Sequence, residues 1–263
     1  KELKRNFFMN KLKIFIQVVI LMGLSSVAKA DSSYLAYDDF VGMTFWLISM
    51  GMLAATVFFF MERGAVATAW KTPVTLAGLI TGIAFINYMY VRGVWLQAGE
   101  LQIIYRYIEW LITMPLQMIM FYLILAAVRK VSSGMFWRLL IGSLVMLIGG
   151  YLGEAAHVHS MVGFIIWMVG WIYVLYEIFS GETGKAAARS GNKPFATAFG
   201  VLRMIVTIGW CIYPLGYVFG PALTDSVDSN SLNVIYNLAD FINKIAFGLI
   251  IWAAAISSGG RTR

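Results

Sequence analysis

A lysine and an aspartate, Lys244 and Asp240, stand four residues apart inside an apolar stretch that runs from 232 to 256. On a helix that spacing puts both on one face, with Asp240 about 6 Å nearer one end. Lys244 falls at the midpoint, where a lysine does not easily snorkel to either interface. A second set, Arg106, Glu109, Thr113, Gln117 and Met120, recurs at intervals of 3, 4, 4 and 3 along another apolar stretch, 103–127, and so forms one helical stripe. Glu109 lies roughly 9 Å to one side of that stretch's midpoint and Met120 roughly 8 Å to the other. An amine at mid-membrane would therefore meet two carboxylates on one side and a thioether on the other. Two chemistries suit this pattern. One is structural: buried ion pairs, Lys244 with Asp240 and Arg106 with Glu109, that tie helices together. The other is covalent: a lysine that forms a Schiff base with a carbonyl ligand, in a slot walled by Trp110, Trp171, Trp210, Tyr213 and Tyr217, with Pro214 kinking its helix.

The elements that must position these groups are membrane helices. Of the 263 residues, 60% are hydrophobic and 13% charged, with mean hydropathy +0.77, whereas a soluble domain carries about a quarter charged residues. Seven apolar blocks follow residue 31, near 40–61, 72–95, 103–127, 135–154, 161–180, 197–219 and 232–256. Each is long enough to cross a hydrocarbon core about 30 Å thick, and none alternates as a barrel strand does. Short connections favour an up-and-down bundle. The expected fold class is thus an all-α membrane protein, a seven-transmembrane helix bundle in the cell (inner) membrane.

Charge orients it. Arg63 and Lys71, then Arg129, Lys130 and Arg138, then Lys185, Arg189 and Lys193 fall in alternate loops, and Arg261 and Arg263 in the tail. The positive-inside rule makes these cytoplasmic and the N-terminus external. The net charge of +7 follows the block edges and forms no continuous stripe for nucleic acid. Lys11 and Lys13, the apolar run 14–24 and the small-residue site Ala28-Lys29-Ala30 have the plan of a cleavable signal peptide within 1–30, the alternative being a further membrane helix. The bundle then occupies 31–256 and a cytoplasmic tail 257–263.

The remaining chemical groups suggest less. Cys211, the single cysteine, sits inside an apolar block. His157 and His159 are two apart, so a helix does not bring them to one face, and they read as loop residues. Glu154 reads either as interfacial or as part of an exit path with Arg106. Glu177 reads as solvated at the cytoplasmic interface, the alternative being a proton donor from that side. Gly78, Gly149 and Gly150 read as packing positions. Nothing resembles a nucleotide loop, a metal cluster or a hydrolytic triad, so no enzyme is expected.

Four strings carry a resemblance: RYIEWLITMP over 106–115, FYLILAA over 121–127, GWCIYPLGY over 209–217 and NVIYNLADFINKIAFGLIIW over 233–252. The chain resembles the microbial (type 1) rhodopsins, and in particular the proteorhodopsins, from about Gly42 to Trp252. The resemblance implies all-trans retinal on Lys244 as a protonated Schiff base, Glu109 and Asp240 as counterions, Glu109 as proton acceptor, and Arg106 on their outer side. It assigns Trp110, Thr113, Met146, Phe164, Trp210, Tyr213 and Pro214 to the retinal pocket and Gln117 to the colour-tuning position, where Gln goes with blue absorption. It also implies a homo-oligomer, a pentamer or hexamer.

Three positions depart from the family pattern. The acceptor, usually Asp, is Glu109. The helix-two histidine that usually contacts it is Asn87. The cytoplasmic proton donor, usually Glu, is Met120, which carries no proton, so that refilling from bulk water is expected to be slow. Two functions follow from the resemblance: a blue-light-absorbing pump moving protons outward, or a slow-cycling photosensor that signals through a transducer.

Overall fold

The computed structural model describes residues 35–259. The expected signal peptide and the last residues of the tail lie outside them. Seven helical spans run Phe40–Glu62, Thr68–Ala98, Ile104–Ala126, Ser133–Glu154, Ser160–Ala188, Lys193–Phe219 and Ser229–Ser258, close to the seven blocks read from the sequence. Several ends are set by local chemistry. The Asp39 carboxylate accepts from the Gly42 amide at 2.8 Å to cap the first span, and Gly99, in the left-handed region at φ 71°, ends the second. Asn192 caps the sixth through the Phe195 amide at 2.9 Å, and Asp228 caps the seventh through Ser231.

The connections sort into two ends. One carries Arg63, Lys71, Arg129, Lys130, Lys185, Arg189 and Lys193, and is called the basic end here. The other holds Glu100, His157, Asp225 and Asp228 and is called the acidic end. Large apolar side chains such as Leu47, Ile108, Ile141, Ile165 and Ile208 are exposed, as expected of surfaces that face lipid. The fourth and fifth spans pack closely because glycines meet there: a Cβ on Gly163 would run into Gly153 and Gly149, and one on Gly170 into Met146. Gly149 and Gly150 are packing positions, facing Ile166 and Tyr107, as is Gly78, facing Phe60.

Two spans carry π turns. A π turn at Ile205–Gly209 interrupts the sixth, and another at Ile242–Ala246 interrupts the seventh and contains Lys244. Pro214 lacks an N–H for the carbonyl of Trp210, and the Tyr213 amide takes that carbonyl instead at 3.2 Å. The two π turns are tied together: Asn243 Nδ2 donates to the Gly209 carbonyl at 3.0 Å. A Cβ on Gly209 would collide with that same amide group, so glycine is what lets the turns approach.

Candidate functional site

Lys244 Nζ lies 2.8 Å from Asp240 Oδ1 and 3.2 Å from Glu109 Oε1. All three side chains are nearly inaccessible, at 1–2% exposure. The stripe on the third span supplies Glu109, and the i, i+4 pair on the seventh supplies the other two, so the two sequence patterns converge at one point. A buried amine facing two carboxylates satisfies the requirement that charge in a membrane interior be paired.

The carboxylates are held differently. Asp240 accepts from Tyr213 Oη at 2.6 Å, Tyr88 Oη at 2.9 Å and Trp110 Nε1 at 3.3 Å, besides Lys244. Glu109 Oε1 accepts from Thr113 Oγ1 at 2.8 Å. Thr113, expected in a ligand pocket, thus orients the Glu109 carboxylate. Gln117 Nε2 donates to the Asn243 carbonyl at 2.9 Å, inside the turn that carries Lys244.

Arg106 does not pair with Glu109. Its Nη2 donates to Asn233 Oδ1 and Asn237 Oδ1, both at 2.8 Å, and its Nη1 to Tyr88 Oη at 3.4 Å. Asn237 is braced by the Thr44 hydroxyl at 2.8 Å. The structural ion pair Arg106–Glu109 is therefore absent, because the two asparagines draw the guanidinium along the seventh span toward the acidic end. Neither asparagine stood out in the sequence, where an amide inside an apolar block carries no charge to mark it.

Of the remaining expected pocket residues, Trp110 stands edge-on to Tyr213 at 4.9 Å, and Trp210, Met146 and Pro214 are buried. Phe164 is half-buried and packs on Tyr217 at 5.4 Å. Two members of the aromatic set face elsewhere. Tyr217 Oη donates to the Ser160 carbonyl at 2.7 Å, at the acidic end, and Trp171 Nε1 to the Val206 carbonyl at 3.1 Å. Both join the fifth span to the sixth. Asn87 is half-buried and reaches the Tyr105 carbonyl at 3.4 Å.

Met120 is fully buried in the apolar core beside Phe121, which stands edge-on to Phe199 and Phe247. Glu177 corrects the sequence reading: it is buried rather than solvated. After Phe179 the chain turns back, so that Thr183 donates to Glu177 through its amide at 3.1 Å and its hydroxyl at 2.8 Å, and Arg138 Nε stands 3.3 Å away. Arg138 thus lies within the fourth span and pairs with Glu177 and Glu182. His157 and His159 are exposed. Among the described residues no group of three His, Cys, Asp or Glu is placed to hold a metal.

At the acidic end a cavity of about 650 Å³ is lined by Glu100, Glu154, His157, Asn233 and Tyr236 among others. Tyr107 Oη donates to Glu154 at 2.6 Å, so Glu154 is tied to the third span. Asn233 holds Arg106, and Tyr236 stacks on Tyr213 at 5.8 Å. Two residues of the seventh span therefore separate this cavity from the carboxylate site.

A seven-helix membrane bundle with a lysine between two carboxylates on its seventh and third helices defines a microbial rhodopsin. The chain belongs to the bacteriorhodopsin-like family, whose model matches residues 39–258. Within that family its similarity is to proteorhodopsins. It is 49% identical to the blue-light absorbing proteorhodopsin of Gamma-proteobacterium Hot 75m4, over 94% of this chain and 98% of that one. It is 46% identical to the green-light absorbing proteorhodopsin of Gamma-proteobacterium EBAC31A08, over 94% and 97%. The crystal structure of a blue light-absorbing proteorhodopsin from Med12 is 51% identical, with TM-score 0.71, and covers 83% of this chain and 98% of that one. The chain is a multi-pass cell-membrane protein of the proteorhodopsin family.

Proposed function

We propose that this protein binds all-trans retinal through Lys244 Nζ and moves protons outward under blue light, with the basic end in the cytoplasm and the acidic end outside. The observation that carries this is the position of Lys244 Nζ between Glu109 and Asp240. The residues fit the group: a buried primary amine to form the imine, two carboxylates to balance its charge, and the buried faces of Trp110, Trp210 and Tyr213 to hold a flat polyene. When bound, retinal supplies the light-driven change that makes the Lys244 nitrogen give up its proton.

The chain's own groups then decide where the proton goes. Asp240 receives Lys244, Tyr88, Tyr213 and Trp110, and such donors stabilise a carboxylate in its ionised form. Asp240 acts as the fixed counterion. Glu109, which Thr113 orients, takes the proton. Asn233 and Asn237 keep Arg106 toward the acidic end, where its charge favours departure of a proton into the cavity bordered by Glu154. The nitrogen must be refilled from the basic end, past Met120.

Light on an unbuffered suspension of expressing cells should acidify the medium, and an uncoupler should abolish the change. No acidification would overturn the pump. One observation favours a second reading, a slow-cycling photosensor: Met120 is sealed in apolar core and offers no proton.

A further inference from the structure

Arg203 is a charge that the site around Lys244 does not use. It lies in the sixth span, six residues from Gly209 toward the basic end, or roughly 9 Å along the axis. None of the ion pairs among the described residues includes it. Its Nε is buried without a hydrogen-bond partner. The guanidinium carbon stands 4.8 Å from the ring centre of Phe179 and 5.3 Å from that of Phe199.

The faces of the sixth span explain the location. Val201, Met204 and Ile208 are exposed to the lipid side, whereas Phe195, Ala198, Phe199, Leu202 and Val206 are core. Arg203 falls between these faces, half-buried at the seam with the end of the fifth span. A cation in hydrocarbon is costly unless something neutralises it, and aromatic faces offset only part of that cost. The nearby carboxylates are not available, because Arg138 engages both Glu177 and Glu182. Exposed Lys185, Arg189 and Lys193 ring the same end, so the remaining source of negative charge is the membrane.

We propose that Arg203 binds the phosphate of one anionic phospholipid in the seam between the fifth and sixth spans, with Lys185, Arg189 and Lys193 attracting the headgroup from the rim. A guanidinium presents its N–H groups as a fork that matches phosphate oxygens, and basic pockets between membrane helices suit such headgroups. The lipid's chains lie against exposed Tyr176, Val201 and Met204.

The test is native mass spectrometry of the protein released from nanodiscs of equal phosphatidylglycerol and phosphatidylcholine. The unmodified protein should retain phosphatidylglycerol about thirtyfold over phosphatidylcholine, whose ammonium cancels the phosphate charge, with about tenfold from the charge-assisted contact to Arg203 and about threefold from the rim cations. Arg203→Gln should reduce this to about threefold, the share of the rim cations, while its helical circular dichroism stays unchanged. Arg203→Lys, which keeps the charge and loses the fork, should fall between. Equal retention by the unmodified protein and Arg203→Gln overturns the proposal. Displacement of the lipid by excess inorganic phosphate also overturns it, since the site would then take the free anion.

Discussion

The side-chain amide of Gln117 donates to the carbonyl of Asn243 at 2.9 Å, which joins the charged stripe of the third span to the residue next to Lys244. A π turn widens the helix and leaves backbone groups without their usual partners. Gln117 ties that turn to the third span and so braces the residue next to the lysine.

Replacing Gln117 by Leu should move the absorption maximum of the retinal-bound protein to longer wavelength, because the polar group that favours the ground-state charge distribution is lost. It should also remove a buried hydrogen bond and lower stability by about 0.5–1.5 kcal/mol. Spectra and thermal melts of both proteins check this. An unchanged or shorter-wavelength maximum would show that another residue sets the colour.

Glu109→Gln should still form pigment, because Asp240 remains as counterion, but flash photolysis should show no loss of the proton from Lys244 Nζ. Should that loss persist at an undiminished rate, Asp240 or water would be the acceptor.

Much of this site was legible because charge inside an apolar block is conspicuous. Lys244, Asp240, Glu109 and Arg106 stood out by type, and helical spacing placed them on the faces that meet. What was hidden depends on contacts between distant segments. Asn233 and Asn237 hold Arg106, and Tyr88 reaches Asp240 across 152 positions of the chain. The π turns were hidden as well, since apolar periodicity does not separate five-residue from four-residue hydrogen bonding over one turn. Glu177 was misread because its burial comes from Thr183, on a segment that folds back beyond the apolar block.

Asn243 is the clearest omission, and it makes a prediction. Its amide spans to the Gly209 carbonyl at 3.0 Å and to Tyr213 Oη at 3.3 Å. Asn243→Leu should cost about 1–3 kcal/mol through the two lost hydrogen bonds, seen as a lower melting temperature. A protein of unchanged stability would mean that the two π turns do not depend on this link.

The refilling step should depend on bulk protons. With Met120 in the core, recovery of the proton on Lys244 Nζ should slow roughly tenfold per pH unit wherever proton supply is limiting. Met120→Glu should accelerate it and flatten the dependence, since a positioned carboxyl is worth roughly two to four decades of rate. Glu177→Gln should leave the rate unchanged, because that carboxylate is committed to Arg138 and Thr183. Flash photolysis across several pH values decides between these outcomes, and a fast, pH-independent recovery in the unmodified protein would reveal a donor elsewhere.

Attachment of retinal at Lys244 underlies the predictions on colour, proton acceptance and refilling, and one spectrum decides it. Lys244→Ala, supplied with all-trans retinal under conditions that colour the unmodified protein, should show no visible band beyond that of free retinal. A Lys244→Ala protein that colours as the unmodified one does, and that borohydride reduces to the same covalent adduct, would contradict the assignment.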